Sequence, residues 1–228
     1  MVGVLALVAY VSPVSIAATR TWDGSSSGAW GTKQNWSSNS VPGSSDDVTF
    51  DADLTNNYSV SLGSNRSVRG ITFGATNEGN AFTLTGNTLT LGATGVVNND
   101  DLTQTFSSAV TISSAAQTFN AASGGLTFNT VTLSNNLTLS GSGNITLGSA
   151  GGVLTNSGAN RTLTINSGGN LTIGAINLSN NSTSRTLTIT GAGSATVTGV
   201  IANGSTSTAG KLTKSGNGTL TLSHANTY

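Results

Sequence analysis

Apolar and polar positions alternate with a strict period of two in short triplets that return in pairs. Leu137-Thr138-Leu139 is followed eight residues on by Ile145-Thr146-Leu147, and Leu163-Thr164-Ile165 by Leu171-Thr172-Ile173. Leu187-Thr188-Ile189 pairs with Ala195-Thr196-Val197 at the same interval, and Leu212-Thr213-Lys214 with Leu220-Thr221-Leu222. In a strand successive side chains face opposite ways, so each triplet sends its outer residues to one side and its threonine to the other. Every outer position is apolar except Lys214, and every middle position is threonine. A three-residue strand cannot bury its own apolar side, so stability has to come from stacking copies.

The pairs recur after 26, 24 and 25 residues. A weaker third strand fits after each of the first three pairs, at Val153-Leu154-Thr155, Ala175-Ile176-Asn177 and Gly199-Val200-Ile201. Three strands in about 25 residues is one coil of a three-sided solenoid with coils about 4.8 Å apart. The predicted fold is all-β, a right-handed parallel β-helix over residues 58–228 behind an N-terminal cap at 19–57. It would hold roughly six or seven coils in a rod about 30 Å long. The glycine- and asparagine-rich stretches between triplets, such as Gly141-Ser142-Gly143-Asn144 and Gly168-Gly169-Asn170, suit tight corners. A sandwich of hairpins is the rival, but hairpins give no reason for a constant spacing near 25. The pattern also predicts that Leu163 stacks on Leu187 and Arg161 on Arg185, both leading Arg-Thr-Leu-Thr-Ile. Like charges stacked that way mark a solvated edge rather than an anion site.

Between Tyr58 and Phe128 the strands are less regular: 58–62, 70–73, 82–84, 89–91, 110–112 and 126–128, with bulkier phenylalanines. Ahead of them all three tryptophans, Trp22, Trp30 and Trp36, sit near Asp46, Asp47, Asp51 and Asp53. Terminal repeats of a solenoid are atypical, which makes this segment a cap with buried aromatics. Two functional alternatives stand beside it, a sugar platform of tryptophans and a calcium site of aspartates. Arg66 and Arg69 are expected to pair with these aspartates.

Composition narrows the function classes. Eight basic and eight acidic residues balance, so net charge offers no attraction to nucleic acid or anionic membrane. Cysteine is absent, which removes disulfides and thiolate metal sites. Val2 to Ile16 is almost wholly apolar and ends before Ala17-Ala18, the form of a secretory signal peptide over residues 1–18, cleaved after Ala18. No basic residue precedes the run, and Pro13 interrupts it, which argues against an uncleaved span. The expected location is secreted or at the cell surface or outer membrane.

At the C-terminus, 210–223 followed by Ala225-Asn226-Thr227-Tyr228 closely resembles the autotransporter-associated β-strand repeat of bacteria, also called the passenger-associated transport repeat. Its pattern runs G-x-L-T-K-x-G-x-G-T-L-T-L-S and then A-N-T-Y. Thr21-Trp22-Asp23-Gly24, Asn35-Trp36-Ser37, 42–50, Gly95-Val96-Val97-Asn98-Asn99 and Thr103-Gln104-Thr105-Phe106 are similar to other segments of such proteins. The resemblance implies a β-helical passenger whose repeat assists export and folding. Relatives continue into further repeats, so the chain reads as a fragment or a short exported protein, with any outer-membrane transporter barrel supplied elsewhere.

An enzyme is the serious rival, because β-helices also host polysaccharide lyases and hydrolases. Those reactions need paired carboxylates or a calcium ion with a positioned base. No Asp or Glu follows Asp101, and the one histidine, His224, reads as a solvated corner. No catalytic, cofactor-binding or metal residue is assigned. The expectation is a non-enzymatic stalk or adhesin-type segment, with extracellular glycan binding second and glycan cleavage third. Outward threonines invite comparison with ice-binding surfaces, but threonine is also simply a good strand former. Sequons such as Asn136-Leu137-Thr138 follow from a corner asparagine before a threonine-bearing strand. The unpaired edge of the final strand predicts end-to-end self-association.

Overall fold

The computed structural model describes residues 17–51, 58–75, 80–204 and 210–228. The signal peptide therefore lies outside the described residues except for its last two positions, as does Asp53. Every strand pairing within the sheets is parallel, and the chain winds as a β-solenoid of about seven turns.

Three faces run along the rod. Face three is an eight-stranded sheet built from Ser59–Ser61, Thr83–Thr85, Gln104–Phe106, Leu126–Phe128, Ile145–Leu147, Leu171–Ile173, Ala195–Val197 and Leu220–Leu222. Faces one and two belong to one 14-stranded sheet that folds over an edge. The fold is visible in Arg66–Phe73 and Leu89–Asn98, long strands whose first halves pair on face one and second halves on face two, with a register shift between Val68 and Gly70. Later coils break these long strands in two. Face one continues through Val110–Ile112, Val131–Leu133, Val153–Asn156, Ala175–Asn177 and Ile201–Ala202. Face two runs from Thr19–Trp22 and Asp47–Phe50 through Gln117–Ala121, Leu137–Gly141, Arg161–Ile165 and Thr186–Thr190 to Lys211–Lys214. The cap is thus continuous with the rod: Asp47–Phe50 pairs residue for residue with Gly70 to Phe73.

The alternation works as the pattern requires. Leu137, Leu139, Ile145, Leu147, Leu163, Ile165, Leu187 and Ile189 are all buried, while the threonines between them face out. Inside, register stacks like on like. The column Phe106, Phe128, Leu147, Ile173, Val197 and Leu222 runs up face three. Its first two members are aromatic, Phe106 stacked on Phe128 at 4.6 Å, and Phe119 of face two stacks on Phe128 at 4.5 Å. Each fully buried aliphatic or aromatic side chain contributes about 1.5–3 kcal/mol, which is how such short strands persist.

Three sequence expectations shift. Leu163 stands opposite Ile189, not Leu187, and Arg161 stands opposite Leu187, not Arg185. A slip of two residues keeps the inward and outward sets intact, so the alternation cannot distinguish the two registers. On face one the third predicted strand is displaced by a residue: Ile201 is buried and Val200 is 38% exposed. Val131-Thr132-Leu133, Gln104-Thr105-Phe106 and 117–121, unassigned from the sequence, are further strands of the same kind.

Corners are close-packed. Gly124, Gly143 and Gly169 follow one another at the corner between faces two and three, and an added methyl group at Gly143 or Gly169 would overlap the carbonyl of the glycine one coil earlier. Gly143→Ala is expected to cost about 1–3 kcal/mol through this overlap. Urea unfolding checks it, and an unchanged midpoint would contradict the stacking.

Candidate functional site

The cap is the first candidate, and the structure closes it. Trp22, Trp30 and Trp36 are 0%, 0% and 1% exposed. Their rings pack edge-on, Trp30 against Trp36 at 4.7 Å and Trp22 against Trp36 at 5.0 Å, and Phe50 lies beneath all three. Trp36 Nε1 donates to the Trp30 carbonyl at 2.7 Å. Buried rings cannot stack on a sugar, so the platform reading falls. The loop over them is organised by a residue whose role the sequence did not disclose. Buried Asn35 accepts from the Ser26 and Ser27 amides through Oδ1 at 2.9 Å each. Its Nδ2 donates to Ala29 O at 2.9 Å.

Asp46 and Asp47 do not converge. Asp46 and Asp47 are neighbours on one extended segment, so their side chains point opposite ways. Asp46 is buried, accepts from the Gly43 amide at 2.9 Å and the Ala18 amide at 3.3 Å, and lies 3.7 Å from Arg20 Nε. Asp47 accepts from Thr94 Oγ1 at 2.7 Å and pairs with Arg69 Nη1 at 3.3 Å. The Asp47 contacts fasten the cap to the third and fourth strands of face two, Arg66–Phe73 and Leu89–Asn98. Among the described residues no group of three or more His, Asp or Glu could hold a metal ion. Arg69 makes the expected ion pair, which is about one-third exposed and so contributes little. Arg66 pairs with none of the described aspartates; its Nε donates to the Leu62 carbonyl at 2.9 Å, closing a corner.

Corner asparagines are the second element the sequence left unread. Asn136 Oδ1 accepts from the Thr162 amide, Asn144 from Asn170 and Asn160 from Thr186, each 26 residues away and at 2.9–3.0 Å. Asparagine before a strand thus catches an amide of the next coil, and this accounts for the sequons. Asn144→Ala is expected to lower stability by about 0.5–1 kcal/mol, since the bond is exposed. Thermal unfolding of the purified chain measures it.

The C-terminal motif spans one whole coil. Lys211–Lys214 forms face two, Gly216 turns the corner at φ 72°, and Leu220–Leu222 forms face three. Asn226 and Thr227 then begin face one: Asn226 Oδ1 accepts from the Ile201 amide at 2.8 Å, and the Thr227 amide donates to Ile201 O at 3.0 Å. Lys214, the one charged residue among the outer positions of the paired triplets, turns its Nζ onto the Ser215 and Gly216 carbonyls at 2.6 and 3.1 Å. His224 is exposed, as a solvated corner should be, and Leu222 is 40% exposed on the last rung.

The outer surface is hydroxyl-rich. Thr83, Thr105, Thr127, Thr146, Thr172, Thr196 and Thr221 stand in unbroken register on face three. Shorter ladders occupy face one, from Thr90 to Thr155, and face two, from Thr118 to Thr190. Ladders on all three faces follow from strand alternation and mark no single face as a binding surface. A shallow groove of about 650 Å³ crosses face three between Ser167, Asn170, Thr172, Thr196, Thr198 and Thr221. No helix among the described residues is long and apolar enough to cross a membrane.

The fold and surface define a parallel β-helical rod with an aromatic cap. Comparison with protein-family models, with curated proteins and with solved structures finds no match to the chain.

Proposed function

We propose that the chain is an exported, non-enzymatic passenger or stalk segment of a bacterial surface or secreted protein. The observation that carries this reading is the interior itself. Apolar columns run from the tryptophan cap to the last coils, while the outward positions of the strands are mostly small hydroxyl, amide or glycine residues. Such a rod transmits length and stiffness along one axis, as a stalk must. The resemblance of 210–228 to the autotransporter-associated repeat supports the same reading, because that motif coincides with one coil. Export through a signal at 1–18 and presentation by a barrel on another segment belong to the proposal.

The test is display on intact cells. With an epitope at the start of the mature chain and an outer-membrane barrel joined after Tyr228, the epitope is expected to become protease-accessible. An epitope that stays in the periplasm with the rod folded would overturn the reading. A glycan-binding module is the second reading, favoured by the hydroxyl-lined groove on face three. Saturable retention on a glycan array, lost on Thr196→Trp, would establish it in place of the stalk; Trp30 and Trp36 are too buried to take part.

A further inference from the structure

All eight acidic residues precede Leu102, and four of the eight basic ones, Arg161, Arg185, Lys211 and Lys214, follow it. The C-terminal coils therefore hold cations with no carboxylate side chain of their own. Three of these cations are half-buried or exposed, as unpaired charges normally are, but Arg185 is only 7% exposed. Burying a guanidinium without an anion is costly, and natural proteins normally pair such a charge.

The chain departs from its own plan to bury it. Between faces one and two it advances nine positions from Leu154 to Leu163, but thirteen from Ile176 to Ile189, the residues one coil further on. The extra length is the loop from Ser179 to Arg185. Insertions in one repeat of a solenoid collect as loops on one side, often the binding side. This loop is built around the guanidinium. Arg185 Nη1 donates to Asn180 Oδ1 at 2.7 Å and lies 3.4 Å from Ser179 Oγ, and the same hydroxyl is 2.8 Å from the Thr183 carbonyl. Asn180 Nδ2 in turn donates to Ser157 Oγ at 2.8 Å, and Arg161 Nε donates to Ser157 O at 3.1 Å. One network thus joins two guanidinium groups from successive coils.

Among the described residues Arg185 bonds through Nη1 alone. A guanidinium has five N–H donors, and its Nε and Nη2 make no hydrogen bond to a described residue. That edge is the fork that grips an oxyanion with two parallel bonds. We propose that the Ser179–Arg185 loop is an oxyanion-binding site, in which Arg185 makes the bidentate contact, Asn180 holds the guanidinium in place and Arg161 adds a second positive charge. The ligand is a small oxyanion, tetrahedral like phosphate or sulfate, or planar like a carboxylate. The site does not depend on the stalk reading.

Isothermal titration of the full chain at constant ionic strength, with sodium phosphate, sulfate, acetate and galacturonate each replacing chloride, tests this. At least one oxyanion is expected to bind saturably with one site per chain. The arm that binds most tightly separates a tetrahedral ligand from a carboxylate. Arg185→Gln is expected to weaken binding at least tenfold, and Arg185→Lys nearly as much, because lysine keeps the charge but not the fork. Arg161→Gln is expected to weaken it about threefold with the loop intact. The proposal is overturned if the unmodified chain binds none of the four saturably, an outcome independent of how any variant folds. It is equally overturned if Arg185→Lys, folded by circular dichroism, binds as tightly as the parent.

Discussion

Leu139→Asp is expected to abolish the cooperative unfolding transition, whereas Thr138→Asp, one residue away, leaves it within about 1 kcal/mol of the parent. Leu139 is fully buried, in register with Phe119 below and Ile165 above. Removing that side chain costs about 2–5 kcal/mol. The carboxyl that replaces it has no partner in the apolar interior, and burying an unpaired polar group adds about 1–3 kcal/mol even when it takes up a proton. The sum is a large fraction of the about 5–15 kcal/mol that holds a typical domain. In a solenoid the damage also separates the coils on either side, because each coil is stabilised by its neighbours. Thr138 points outward and meets water on the same strand. Urea titrations followed by circular dichroism read both variants, and equal sensitivity at the two positions would mean that the alternation does not divide inside from outside.

Trp36→Ala is expected to carry the second largest effect, about 3–5 kcal/mol. Trp36 is the centre of the cap, within 5.0 Å of Trp22, 4.7 Å of Trp30 and 6.1 Å of Phe50. Its loss opens a cavity over the aromatic column and leaves the Trp30 carbonyl without its donor. Unfolding should then start at the N-terminal end. Limited proteolysis is expected to cut first between Trp22 and Phe50, well before the coils around Leu163 become sensitive. First cuts at the C-terminal coils instead would show that the cap does not hold the rod's end. Trp36→Phe, which keeps an aromatic plate but not the donor, is expected to recover about half of the loss.

The solenoid was legible because its message is repeated. A Leu-Thr-Leu triplet sets which side of a strand is buried, and a period near 25 sets that strands stack instead of pairing in hairpins. Finer features were hidden for identifiable reasons. The stacking of Leu163 on Ile189 depends on how much chain two corners take up, and a two-residue slip leaves no trace in the polarity pattern. Val200 and Ile201 are both apolar and β-branched, so nothing local says which turns inward. Arg185 carries the same Arg-Thr-Leu-Thr-Ile signature as Arg161, yet one is buried and the other half-buried. The difference lies in a loop four residues longer, which only the paired strands reveal.

In the cap, the tryptophan cluster was readable from composition, but the role of Asn35 was not, since its four contacts come from residues six to nine positions back. The aspartates looked like a site because they are close in sequence. Extended geometry separates Asp46 from Asp47 and gives each its own arginine.

Distances along face three test the central claim most directly. The native chain has no cysteine, so spin labels can be placed at will. Pairs joining Thr105 to Thr172, Thr196 and Thr221 span three, four and five rungs. A parallel stack predicts mean separations that rise by about 4.8 Å with each added rung, reaching on the order of 24 Å for the last pair. Separations that fail to grow in step, or that shorten between Thr196 and Thr221, would show that these strands do not climb one axis.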